Sequence, residues 1–143
     1  MKQSMTADLR AAYLRASYCI FAQAGDIAIR INEASPALDE LLVARGVATA
    51  AFITAANPAS VRLDDAVNAA RNEALQAEVA AAGYTWMAGE GRDPAGEWQA
   101  EQSLLVLGIT RETAVGLAGA YGQNACVFCE LHEPAVLLEV DRE

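Results

Sequence analysis

Three polar groupings stand where the surrounding pattern calls for apolar residues, and each is of a kind that could bind or transfer protons. The first is built around Asn57-Pro58, at the end of the apolar run A-A-F-I-T-A-A. Further on, a helical pattern carries Asn68 and Asn72 one turn apart, and at about 100° per residue these fall within roughly 40° of the line through Leu75 and Val79. The C-terminal half of that line is apolar and faces a core, so the two asparagines extend a buried face toward the helix start. Thr54, Asn57, Ser60, Asn68 and Asn72 would then surround one point, along with the backbone N–H groups and positive dipole of a helix N-terminus. The competing explanation is that these amides tie the loop to the helix, since Asn-Pro is a common turn and buried polar groups need partners.

The second grouping is E-W-Q-A-E-Q-S, residues 97–103, just before L-L-V-L-G-I. If it is strand, Glu97, Gln99, Glu101 and Ser103 share one face and Trp98 takes the other. An unpaired carboxylate entering an apolar strand costs several kcal/mol unless its pKa rises or a partner meets it. Glu101 is therefore the candidate general acid/base, or an acceptor for a cationic ligand group. The plainer alternative is a surface carboxylate paired with Arg71 or Arg92. The third grouping is Y-G-Q-N, residues 121–124, where Gln123 and Asn124 either add amide contacts to the site or cap a helix end.

The elements that must position these residues can be read from periodicity and end signals. Residues 5–16 form a helix capped by Ser4 or Thr6, and residues 18–22 and 26–32 form an antiparallel hairpin in which Ile27, Ile29 and Ile31 share a face. Ser35-Pro36 starts a helix that ends at Gly46. Residues 48–55, apolar with almost no alternation, are a strand covered on both faces and ended by Pro58. Asp64 or Asp65 caps the longest helix, which closes at Gly83. Residues 84–90 are a strand, 89–96 a loop, and 97–109 contain a second strand. A helix over 110–121, a strand over 124–132 and an edge strand over 135–140 complete the chain. This mixture predicts an α+β fold: a single domain, residues 1–143, on one mixed β-sheet of about five to seven strands, with an N-terminal hairpin and three to four packed helices.

Composition limits the partners. The chain has 143 residues and a formal net charge of −9, and its basic residues are scattered singly. That disfavours nucleic acid and anionic membranes, both of which attract clustered Lys/Arg. Nothing approaches the roughly 18 apolar residues of a membrane span, and the N-terminal residues lack the apolar core of a signal peptide, so a cytoplasmic location is expected. Three cysteines fit a reducing compartment. Cys126-Val-Phe-Cys129 matches CxxC, but residues three apart on a strand point to opposite faces, so no shared metal is expected. His132 is the single histidine, and no multi-histidine site can form. The glycines at 89, 91 and 96 lack the lysine and following helix of a phosphate loop. No cofactor is indicated.

The ordered blocks F-I-T-A-A-N-P-A-S (52–60), N-A-A-R-N-E-A-L (68–75), G-E-G-R-D-P-A-G-E-W-Q-A-E-Q-S (89–103) and Y-G-Q-N-A (121–125) resemble a bacterial family of uncharacterised proteins, the domain of unknown function numbered 3293, across about residues 10–140. The resemblance implies no activity, cofactor or catalytic residue. Relatives are expected to carry a proline or a further carboxylate after the tryptophan; here Gln99 and Ala100 follow Trp98, and Glu101 is the principal acid. Two functions follow. One is a small polar metabolite bound by Asn57, Asn68, Asn72, Glu101 and Gln123, with Glu101 as acid/base. The other is a non-enzymatic interaction or regulatory domain that uses its acidic surface and hairpin edge, homodimerisation included.

Overall fold

The computed structural model describes residues 5–96 and 98–140. Helix α1 (Ala7–Arg15) leads into strands β1 (Ser17–Ile20) and β2 (Ile27–Ile29), and α2 (Pro36–Ala44) precedes β3 (Thr49–Ile53). After a 3₁₀ turn at Pro58–Ser60 come α3 (Asp65–Ala81), β4 (Trp86–Arg92), β5 (Glu101–Leu107), α4 (Arg111–Ala120), β6 (Ala125–Glu130) and β7 (Val136–Glu139). The helix starts follow local chemistry. The Thr6, Ser35 and Thr110 hydroxyls accept from the backbone N–H three residues on, and Pro36 takes the first helical position of α2. Asp64 stands at the N-cap of α3, but neither it nor Asp65 caps through its side chain, contrary to expectation.

The seven strands form one sheet in the order β2-β1-β4-β5-β3-β6-β7, and every adjacent pair is antiparallel. Outside the named strands, an isolated parallel bridge joins Ile31 to Ala135, and the antiparallel sheet curls so that the residues after β2 meet the start of β7. The expected hairpin is β1-β2, with Tyr18 opposite Ile29. At the centre, β3-α3-β4 and β5-α4-β6 interlock: β5 lies between β3 and β4, and β3 lies between β5 and β6. This is the split β-α-β pairing of a ferredoxin-like sheet, extended by the hairpin on one side and β7 on the other.

Two cores cover the two sheet faces. Ala50 and Phe52 of β3 join Leu105, Leu107, Leu38 and Leu42 on the face under α2 and the end of α1. Ala51 and Ile53 join Leu104, Val106, Leu75, Val79, Ala114 and Ala118 under α3 and α4. Strand β3 is thus covered on both sides, as its unbroken apolar run predicts, although in an antiparallel sheet.

Some boundaries moved. Gly89 and Gly91 belong to β4, not to a loop: Gly89 pairs with both Ile20 and Ser103, and a Cβ there would collide with the Cys19 carbonyl. The 97–103 segment is not strand throughout. Strand β5 starts at Glu101, and Trp98, Gln99 and Ala100 precede it as exposed connection; Glu97 lies outside the described residues. Cys126 and Cys129 are buried in opposite cores.

Candidate functional site

In this topology the C-terminal end of β3 meets the N-terminal ends of β5 and β6. That is what gathers the three polar groupings, and it differs from the parallel-sheet geometry behind the expectation of a ligand at a strand's carboxyl end. The segment after β3 is held from behind by side chains. Asn72, fully buried on α3, accepts from the Ala55 N–H at 3.0 Å and donates to the Asn68 carbonyl at 3.2 Å. Buried Gln123 donates to the Ala56 carbonyl at 2.9 Å and the Tyr121 carbonyl at 3.3 Å. Arg71 spans the same gap, with Nε on the Ala55 carbonyl and Nη2 on that of Tyr121, both at 2.6 Å. Thr54 Oγ1 donates to the Gln102 carbonyl at 2.7 Å and accepts from the Ala56 N–H at 3.0 Å. Ser103 Oγ turns back to the Glu101 carbonyl at 2.9 Å.

Asn57 is the pivot. Its backbone is left-handed, with φ 47°, a conformation asparagine tolerates better than most residues. Asn68 Oδ1 accepts from its backbone N–H at 2.9 Å, and its own Oδ1 accepts from Asn68 Nδ2 at 2.8 Å and the Leu63 N–H at 2.9 Å. Its remaining donor, Nδ2, reaches Glu101 Oε2 at 2.7 Å. Ala59 and Ser60 also have positive φ, 54° and 62°, and the Ala59 N–H donates to the Gly122 carbonyl at 2.7 Å. That close approach explains Gly122: its φ is 73°, and a Cβ on it would stand 2.9 Å from Cβ of Pro58. Asn124 Nδ2 donates to Ser60 Oγ at 3.2 Å. Gln123 meets the C-terminal end of α4 twice: its side chain donates to the carbonyl of Tyr121, the C-cap residue, and its backbone N–H returns to the Ala118 carbonyl.

In front of this loop is a cleft of about 580 Å³ lined by Leu9 and Tyr13 of α1, Asn57, Ser60, Arg62, Trp98, Gln99 and Glu101. A smaller hollow of about 170 Å³ adjoins it, sharing Asn57, Arg62 and Glu101 and reaching Asp65 and Asn68 at the first turn of α3. Burial raises the pKa of Glu101 above its ordinary value, and the hydrogen bond from Asn57 opposes the rise. Tyr13 is pushed up to about 12, by burial first and the negative charge of Glu101 second, against a hydrogen bond from Ser60. Oε1 of Glu101 has no hydrogen-bond partner among the described residues.

The structure therefore brings together every residue of the three polar groupings that it describes, but divides their work. Asn57, Ser60 and Glu101 face the cleft. Gln123, Thr54 and Ser103 are spent on the frame, Asn124 meets the cleft residue Ser60, and Asn68 and Asn72 belong to the frame and also line the hollow. Glu101 pairs with neither arginine proposed for it: Arg92 takes Glu90 at 2.6 Å, and Arg71 takes carbonyls. The sequence does not mark Tyr13 as a cleft residue, and it offers Arg71 as a partner of Glu101 rather than as a clamp on the Ala55 and Tyr121 carbonyls. Leu9 and Tyr13 recur at i, i+4, and Arg71 adjoins Asn72 on the helix; both spacings are also those of ordinary packing positions. His132 sits away from the site, exposed, with Nδ1 3.7 Å from Asp39. Among the described residues, no group of three His, Cys, Asp or Glu side chains could hold a metal ion, and no helix is long and apolar enough to cross a membrane.

Fold and site together define an α+β protein with a cleft of mixed polar and apolar lining at one end of a curled sheet. A family model described as a protein of unknown function, DUF3293, matches residues 53–126, just over half of the chain, and the chain belongs to that family. The matched span opens on the last residue of β3 and takes in Asn57, Asn68, Asn72, Glu101 and Gln123; α1, with Tyr13, lies outside it. No curated protein and no solved structure matches the chain significantly.

Proposed function

We propose that the protein binds a small polar metabolite in the cleft between α1 and the Asn57-Pro58 loop, with Glu101 as the group that meets it and exchanges a proton with it. The observation that carries this reading is the state of Glu101: a largely buried carboxylate, held on one oxygen by Asn57 at 2.7 Å and open to the cleft on the other. Such a group costs free energy to bury and needs a reason to be there. A cleft of about 580 Å³ also falls within the usual size of small-molecule sites. The rigid frame behind Asn57 supports the same conclusion, because a site works when its contacting groups are fixed in advance. The reading assigns the amides mostly to positioning, with direct contact left to Asn57, Ser60 and Glu101. The interaction-domain alternative relies on an open hairpin edge, and the bridge from Ile31 to Ala135 leaves less of that edge free.

A thermal-shift panel of amines, amino acids, small acids and nucleotides tests it, with Glu101→Gln in parallel. A ligand at about 100 times its Kd adds roughly 2.7 kcal/mol, and the reading requires at least one compound whose stabilisation the substitution abolishes. Stabilisation that survives Glu101→Gln for every active compound would refute Glu101 as the contact.

A further inference from the structure

Resting on that reading, we infer that the cleft's ligand class is a small organic cation, a protonated amine on an apolar body, with the ammonium group at Glu101 and the body between Tyr13 and Trp98. The first argument is charge accounting. The arginines around the cleft are otherwise engaged: Arg62 with Asp65 at 3.5 Å, Arg15 with Asp93 at 3.7 Å, Arg71 with two carbonyls, Arg92 with Glu90 and Arg10 with Glu139 at 2.9 Å. Among the described residues Glu101 forms no ion pair, and Arg62, the basic side chain that lines the cleft, already has Asp65 as its counter-ion, so the carboxylate at the cleft wall is left without one.

The walls give the second argument. Tyr13 and Trp98 both line the cleft, and aromatic faces attract cations while also accepting an apolar body. Trp98 is 45% exposed, next to half-buried Leu9, so a hydrocarbon group laid on it would remove apolar surface from water. A divalent metal ion fits poorly, because it would ask for six or more oxygen ligands and the cleft supplies one carboxylate. The protein's net charge of −9 also favours the approach of cations over anions.

The test is an NMR titration of the ¹⁵N-labelled protein with three isosteric probes: phenethylamine, 2-phenylethanol and phenylacetate. The Trp98 indole and Asn57 side-chain amide signals are the reporters. Phenethylamine is expected to shift both, to bind at least tenfold tighter than the alcohol, and to lose at least tenfold in affinity with Glu101→Gln; phenylacetate is expected to leave both signals in place. Equal affinity for amine and alcohol in the wild-type protein would overturn the cation assignment without recourse to any variant, while the cleft would stand as a binding site. If none of the three moves either reporter at millimolar concentration, both the cation assignment and the cleft reading fail.

Discussion

The two sides of the Asn57 loop use the same residue types to opposite ends. Behind it, Asn72, Gln123 and Arg71 spend their donors on backbone carbonyls and, for Asn72, its acceptor on a backbone N–H, and no buried side-chain polar atom among the described residues lacks a partner. In front of it, Glu101 keeps one oxygen without a protein partner. Buried amides in a chain are thus weak evidence of binding, since the backbone they accompany consumes them first. A partly buried carboxylate that meets no cation is stronger evidence, because the fold rewards it on one oxygen alone, through Asn57.

The largest effect is expected behind the loop. Asn72→Ala strands the Ala55 N–H and leaves a void between α3 and β3, for a loss of about 3 kcal/mol, or on the order of 10 °C in Tm for a chain of this size. Calorimetry checks this, and a fall of only a degree or two would mean the frame is not what holds the loop. Gly122→Ala comes next: its positive φ and the contact with Pro58 predict about 2–3 kcal/mol, readable by urea denaturation. Asn57→Gly keeps the left-handed backbone but removes the pivot amide. It should cost about 1–2 kcal/mol and move the Glu101 pKa further up, because the Asn57 hydrogen bond is what opposes the rise.

Glu101→Gln should change stability least, by under about 1 kcal/mol near neutral pH, since glutamine still accepts from Asn57. Its signature is in the pH dependence. A carboxyl whose folded pKa is raised binds its proton more tightly in the folded state, so its stabilising contribution is full below the ordinary value of 4.5 and is lost as pH rises through the folded value. Relative to the variant, the wild type should therefore lose Tm over that window. Besides the arginines and Asp65, the ionisable side chains near the cleft among the described residues include Tyr13 and Tyr18, which stay neutral throughout, both pushed above their ordinary value of 10.0. A flat difference across the window would show that Glu101 is not buried in solution.

Much of this was legible in the sequence because it is local. Serine and threonine caps, Pro36 at a helix start and the Asn68-Asn72-Leu75-Val79 stripe each depend on spacings within one element, and all lie where spacing predicts. What depended on pairing was not legible. The carboxylate of Glu101 lies 2.7 Å from Asn57 because β5 pairs antiparallel with β3, and no spacing within either segment encodes that neighbour. The glycines of β4 misled for the same reason: they suit a loop by type, yet Gly89 and Gly91 pair within the sheet, and at Gly89 the neighbouring Cys19 carbonyl leaves no room for a side chain.

The most direct measurement is the ¹³C NMR titration of the Glu101 carboxyl, alone and with saturating phenethylamine. The structure predicts a free-protein midpoint above the ordinary 4.5 that falls when the amine binds, since a cation favours the charged form. A midpoint in the ordinary range that the amine leaves unmoved would contradict both the burial of Glu101 and its role in the cleft.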